Sequence, residues 1–542
     1  MGEGEEGGCR AERFLRAVAS FVGQKSLYLA AAWLLLVASA MVGYSRQALP
    51  WVDEILGRWI CTLPTARDIW SALGTGIHAD PLPLALLMHW LTVAFGPGAL
   101  ALRLPSIVGI CAMLLFLFLT LRRHVPPLYA LLALILPFCT TLPTYGFRGR
   151  PYGLLWGCLT GAIYCWDKAG DRSSVGWNVA FGLALAAAQG CHFYAVFALP
   201  AFCLAEGVRS LERRRLSWAT VAALTAASAT ELLYLPFMSN LHRFLSPVPR
   251  LDVPHLGSVP RMLVNNLNGL AIPLFACLLL AAACATLGLR LTPEPRGEGN
   301  TRTRGLAALG LGFLLIPWIG WGVELFALKV FEDRFVLHGL LGVFLLVPML
   351  AAWWSRSDRL LGLALVTACA LPAFITLERG IAGDFKAPAQ YADFALLEHA
   401  LPQMEGDVVV PDMFLFAEMV DYSPALKAKC IYLTDAEKEL EYTGSEKLSL
   451  IFPKWAVITG LRTTKWRDYP YRDVGFLFLT LPDREPDSSV EWLRPYLRAS
   501  GRYGGTLMSL GRYVIVHAKA VDPSSAAALT VAKRPELQPR HP

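Results

Sequence analysis

Apolar runs of roughly 20 residues, each long enough to cross a bilayer, recur along most of this chain and constrain its fold more than any other feature. In a soluble domain such runs are broken by surface positions, and charged residues make up about a quarter of the whole. Here 55% of the 542 residues are hydrophobic and only 17% are charged. The chain therefore reads as an α-helical polytopic membrane protein.

The charge pattern gives the crossings a direction. The formal net charge is +7, but its cations gather in short loops between apolar runs, as cytoplasmic loops do. Examples are Arg122 with Arg123, Arg209 with Arg213 to Arg215, Arg302 with Arg304, and Arg356 with Arg359. No basic stripe interleaved with aromatics is present, so no nucleic-acid partner is expected. Residues 1–25 are polar, carry Arg10, Arg13, Arg16 and Lys25, and lack the layout of a cleaved signal peptide. They read as a cytoplasmic segment before a retained first helix, Leu27 to Gly43.

Matching apolar runs to basic loops predicts about eleven crossings. A long outer loop, 44–81, follows the first span. Leu82 to Phe95 is too short to span and reads as a juxtamembrane or partly inserted helix. The next span, 104–121, ends inward at Arg122 and Arg123. The rest are expected at 127–143, 152–166, 177–193, 194–208, 218–237, 269–289, 305–327, 338–354 and 358–377. Outer loops then fall at 144–151, 238–268 and 328–337, and a membrane domain covers 26–378.

Residues 379–520 change character and predict a small extracytoplasmic α/β domain, followed by a flexible tail over 521–542. Ala392 to Leu401 reads as an amphipathic helix. Gly406 to Pro411, Trp455 to Thr459, Val474 to Leu481 and Tyr513 to His517 read as strands. Most of the twelve cysteines sit inside apolar runs as small hydrophobes, and no Cys/His spacing reads as a zinc site. Only Cys61 and Cys430 fall on the oxidising side.

Within the first outer loop stand two adjacent acids, Asp53 and Glu54, flanked by Trp51, Arg46 and Arg58. Carboxylates near a membrane interface are costly to desolvate unless they perform chemistry or pair with cations. Asp53 suits a general base toward an acceptor hydroxyl or amine, and a helix cap is the bland alternative. Glu54 reads either as its catalytic partner or as a structural pair with Arg46 or Arg58.

Other short stretches stand at outer helix ends in the same order. They are Ala79-Asp80-Pro81-Leu82-Pro83-Leu84 with His89-Trp90, Leu100 to Ser106 (LALRLPS), Gly149-Arg150-Pro151-Tyr152, His192-Phe193-Tyr194 and Asp333-Arg334-Phe335. Together with Trp51-Val52-Asp53-Glu54, this series resembles the GT-C glycosyltransferases that use polyprenyl-phosphate-linked sugars. Within them it looks most like the bacterial branch related to protein O-mannosyltransferases and the aminoarabinose transferase of lipid A. The stretch at 79–90 departs from the family's DPPLYYLLLHLW form in spacing and lacks its tyrosines.

The resemblance implies an integral enzyme of the bacterial inner membrane. It would transfer a sugar, with inversion, from a polyprenyl-phosphate donor to an extracytoplasmic lipid, polysaccharide or protein. It implies Asp53 and Glu54 as the catalytic acids and Arg150 and Arg334 as ligands of the donor phosphate, since guanidinium forks match phosphate oxygens. The alternative for both arginines is anchoring at the interface. His78, Asp80, Tyr152 and His192 are expected to line the substrate cavity, although Asp80 also suits an Asp-Pro turn and the aromatics an interface belt. Two acids near a phosphate also suit Mg²⁺ or Mn²⁺. Glu231 and Glu324 lie within apolar runs and read as functional or as hydrogen-bonded structural acids.

Other functions remain open at this level. A transporter or lipid flippase would put charges near the bilayer midplane and repeat its helices in two halves; an O-antigen-ligase-like enzyme would need a larger cationic outer loop; an inactive scaffold would keep the fold without the chemistry.

Overall fold

A computed structural model describes residues 2–170, 174–245, 255–271, 301–326, 333–382, 386–444, 447–473, 475–480 and 491–520. The chain divides into two compact units, residues 1–243 with 252–385, and residues 244–251 with 386–542.

The first unit is helical. It opens with α1 (Gly2–Gln24), α2 (Ser26–Gln47), α3 (Val52–Cys61), α4 (Ala66–Gly74), α5 (Leu82–Phe95) and α6 (Ala99–Leu121). After a broken stretch come α7 (Tyr152–Ala169) and α8 (Val175–Cys191). Among the described residues six helical stretches are long and apolar enough to cross a membrane: Ser26–Gln47, Ala99–Leu121, Phe193–Arg213, Thr303–Leu325, Leu337–Trp354 and Arg359–Arg379.

The spans expected at 152–166 and 177–193 are α7 and α8, and two others are interrupted near prolines. Residues 127–143 form only short pieces, Pro127–Ala130, Leu132–Ile135, Leu136–Cys139 and Leu142–Gly146. Pro127, Pro137 and Pro143 each stand in the first turn of a new piece, because proline lacks the N–H that would continue a preceding helix. The span expected at 218–237 divides into Trp218–Ala229, a turn at Thr230–Leu233 and a new helix, Leu235–Leu245, with Pro236 in its first turn. Most of the span expected at 269–289 lies outside the described residues.

The packing of α6 on α7 matters most for the site. A Cβ on Gly109 would lie 2.3 Å from the backbone of Gly153, and one on Gly157 2.6 Å from the Gly109 carbonyl oxygen. One on Gly153 would lie 2.7 Å from the Ser106 carbonyl oxygen. These small residues bring the two backbones into direct contact, a usual means of helix association where lipid removes the hydrophobic drive. The start of α6 and the loop before α7 are thereby held side by side. Trp156 and Trp166 of α7 and Phe118 of α6 are fully buried around this contact.

The second unit is an α/β domain with a six-stranded sheet in the order β3-β2-β1-β4-β6-β5. The strands are β1 (Val408–Val409), β2 (Cys430–Thr434), β3 (Thr463–Lys465), β4 (Phe476–Thr480), β5 (Tyr503–Leu510) and β6 (Tyr513–Ala518). β3, β2, β1 and β4 run parallel, whereas β6 is antiparallel to both β4 and β5. Parallel strands are covered on both faces, and Val408, Val409 and all five residues of β2 are buried accordingly.

One expected strand is a helix. Trp455 to Thr459 forms the end of Lys447–Thr459. Its run of β-branched and aromatic residues favours a strand, but strand alternation would put Trp455 and Val457 on one face. In the structure Trp455 is wholly buried and Val457 is 87% exposed, while Phe452, three residues before Trp455, is buried with it. That spacing is helical.

Candidate functional site

Trp51 has an extended backbone and α3 begins at the next residue, so Asp53 and Glu54 fall in its first turn. Anionic side chains are favoured there by the helix dipole. Neighbours on a helix point about 100° apart, and these two carboxylates meet different surroundings. The Asp53 side chain is 20% exposed and that of Glu54 1%.

Glu54 is enclosed by donors. Its Oε1 accepts from Arg103 Nε at 2.7 Å and from the Gly149 N–H at 2.5 Å. Its Oε2 accepts from Arg103 Nη2 at 2.8 Å and from the Trp51 N–H at 2.8 Å, the backward reach of a third-position glutamate to its own helix cap. Arg103 also donates to the carbonyls of Ala48 and Leu49, and its guanidinium lies 4.8 Å from the Tyr44 ring. Burial alone would raise the Glu54 pKa, but Arg103 and the two backbone N–H groups outweigh it and hold the carboxyl below its ordinary range. The sequence reading makes Glu54 a partner of Asp53 or a structural pair with Arg46 or Arg58; the ion pair seen in the structure is with Arg103. The Glu54 carboxylate is thus fully bonded and enclosed.

Asp53 faces two guanidinium groups. Its Oδ2 accepts from Arg334 Nη1 at 2.9 Å and lies 3.3 Å from Arg150 Nη2. Arg150 Nη1 also reaches the Asp53 carbonyl oxygen, at 3.5 Å. Arg150 stands directly after Gly149, whose N–H is fixed by Glu54, and its own carbonyl accepts from Ser106 Oγ at 2.7 Å. Burial opposes the Arg150 charge, yet the carboxylates of Asp53 and Asp80 hold its pKa above the ordinary arginine value. Arg334 lies in the 3-10 turn Asp333–Phe335 and is followed by a ring cluster. Phe335 stacks on Tyr194 with ring centroids 4.7 Å apart, and the Tyr194 hydroxyl donates to Glu324.

Tyr152 and His192 stand beside Arg150 and Phe335. The Tyr152 ring lies 6.0 Å from the Arg150 guanidinium and 5.5 Å from the His192 ring. His192 is in turn 6.0 Å from the Phe335 ring, and its Nδ1 accepts from the Tyr194 N–H. His78 Nδ1 is 3.4 Å from Asp80 Oδ2. His89 is buried, with Nδ1 2.8 Å from the Cys61 carbonyl oxygen. Arg148 stacks over Trp51 at 4.4 Å. Among the described residues no three His, Cys, Asp or Glu side chains gather closely enough to hold a metal ion.

Arg103, Tyr194 and Phe335 belong to this site without a role assigned from sequence. Arg103 carried a signal, being a lone cation near the start of a long apolar helix. Chemically the arrangement offers one accessible carboxylate between two fixed guanidinium groups. Such a pair of forks binds an anion of phosphate shape, and the carboxylate beside it is a proton acceptor.

No protein-family model matches the sequence, and no curated protein matches it. Among solved structures the chain is similar to ArnT from Cupriavidus metallidurans bound to undecaprenyl phosphate, with 13% identity and a TM-score of 0.47 over 91% of this chain and 97% of that one. It is also similar to the same protein in the apo state, with 14% identity and a TM-score of 0.44 over 90% and 98% of the two chains.

Proposed function

We propose that this protein is an integral-membrane glycosyltransferase that moves a sugar from a polyprenyl-phosphate donor to an extracytoplasmic acceptor. The observation that carries the proposal is the sharing of Asp53 Oδ2 between Arg334 and Arg150, at 2.9 and 3.3 Å. Arg150 and Arg334 bind the donor phosphate and neutralise the charge that grows on it as the sugar–oxygen bond breaks. Asp53 takes the proton from the acceptor hydroxyl or amine. The acceptor atom bonds to the anomeric carbon while the bond from that carbon to the phosphate oxygen breaks. The polyprenyl phosphate leaves with the electron pair, and single displacement inverts the anomeric centre.

Glu54 and Arg103 act through these groups. Glu54 follows Asp53 in the chain and holds the amide that precedes Arg150, so it fixes the separation of base and phosphate ligand. Tyr152, His192, His78 and Asp80 line the substrate cavity. The arginines supply the charge neutralisation, and no step is assigned to a metal. The enzyme belongs in the bacterial inner membrane, with its α/β unit outside the cytoplasm.

The test is turnover by the purified full-length protein in nanodiscs, supplied with a pool of polyprenyl-phosphate sugars and cell-envelope extract. Release of polyprenyl phosphate, with a sugar newly bonded to an envelope component, supports the proposal. The Asp53→Asn variant should release none. Turnover by that variant at the wild-type rate would remove Asp53 as the base.

A further inference from the structure

We propose that Asp53 is also part of the donor-phosphate site: it bridges Arg150 and Arg334 in the arrangement seen here, and the donor phosphate displaces it and thereby frees it to act as base. This rests on the reading of the two arginines as phosphate ligands.

Three features support the exchange. First, one carboxylate oxygen faces both guanidinium groups, so the cations are held at a separation that a single anionic group can bridge. Second, the backbones that carry the arginines are held independently of the Asp53 carboxylate. The Arg150 backbone is held through Ser106 and the neighbouring Gly149 amide, and Arg334 precedes the Phe335–Tyr194–Glu324 cluster. Neither needs the Asp53 carboxylate to keep its backbone in place. Third, the three side chains retain 13 to 23% of their surface, so an anion can reach them, in contrast to the Glu54–Arg103 pair at 1%.

The chemistry favours replacement. A phosphate offers more acceptor oxygens than a carboxylate, in a geometry that two forks engage bidentately. Once the forks turn to phosphate, the Asp53 carboxylate is released from both guanidinium contacts beside the anomeric carbon. Donor binding would therefore precede activation of the acceptor, and without donor the carboxylate stays engaged with both guanidinium groups.

The test is the affinity of the full-length protein in nanodiscs for undecaprenyl phosphate as the probe, measured by intrinsic fluorescence and by native mass spectrometry. Asp53→Asn should bind about tenfold more tightly than wild type, because the competing anion is gone. Simple repulsion by a nearby carboxylate would also tighten binding, so the deciding measurement is the double-mutant cycle with Arg334→Ala. Competition through the arginines predicts that the Asp53→Asn gain largely disappears in the Arg334→Ala background. An equal gain in both backgrounds, or no gain at all, overturns the proposal. The phosphate reading fails separately: Arg150→Ala and Arg334→Ala would then bind the probe as tightly as wild type.

Discussion

Glu54 and Arg103 lie 49 residues apart in sequence yet form a buried bidentate ion pair, with contacts of 2.7 and 2.8 Å and side chains each 1% exposed. The pair joins α3 to α6, and through the Gly149 amide it also holds the loop that carries Arg150. Removing one partner strands the other charge in the interior. Arg103→Ala should therefore destabilise the protein by about 3 to 5 kcal/mol. Arg103→Lys should recover only part of that, because an ammonium cannot reproduce the fork. Thermal unfolding in detergent, followed by tryptophan fluorescence, reads both; a loss below about 1 kcal/mol would mean the pair behaves like a surface contact.

The same pair sets a pH dependence. Glu54 has a folded pKa below the ordinary glutamate value of 4.5. Its contribution is thus fully present above the unfolded pKa and is lost as pH falls through the folded one. Wild type should exceed Glu54→Gln in stability at neutral pH, with the gap closing only below about pH 4. Unfolding temperatures of the two proteins across pH 3 to 8 test this, and a gap that widens toward low pH would contradict the assigned direction.

Close packing of α6 on α7 is the second support of the site. Gly109→Ala places a methyl group where the backbone of Gly153 now stands. The helices must part, at a cost of about 1 to 3 kcal/mol, and Arg150 moves with α7. Turnover should fall more steeply than stability, because catalysis tolerates little displacement of the groups that bind the reacting centre. Full activity in this variant would show that the glycine contact does not set the position of Arg150.

Arg150→Lys and Arg334→Lys keep the charge and lose the planar fork. Each should raise the KM for the polyprenyl-phosphate donor and lower kcat, and Arg→Ala at either site should lower kcat about 10²- to 10³-fold. A rise in KM with kcat unchanged would restrict that arginine to ground-state binding.

Sequence reading located charged residues well where they interrupt apolar surroundings. Asp53, Arg150 and Arg334 stand at the ends of hydrophobic runs, and the fold brings their side chains together. The partner of Glu54 was hidden, because the fold brings Arg103 of α6 to the first turn of α3 across 49 residues of sequence. Hydropathy does not register how Pro127, Pro137 and Pro143 interrupt the helix expected at 127–143. At Trp455 to Thr459 the local preference for strand was overridden by tertiary packing, which buries Trp455 and Phe452 and leaves Val457 in solvent.

The most direct test of transfer chemistry at Asp53 is mass spectrometry of glycolipids, polysaccharides and glycoproteins from cells expressing wild type or Asp53→Asn at matched membrane levels. The account predicts loss of one sugar-bearing product together with accumulation of its polyprenyl-phosphate sugar. Identical profiles in the two strains would contradict it.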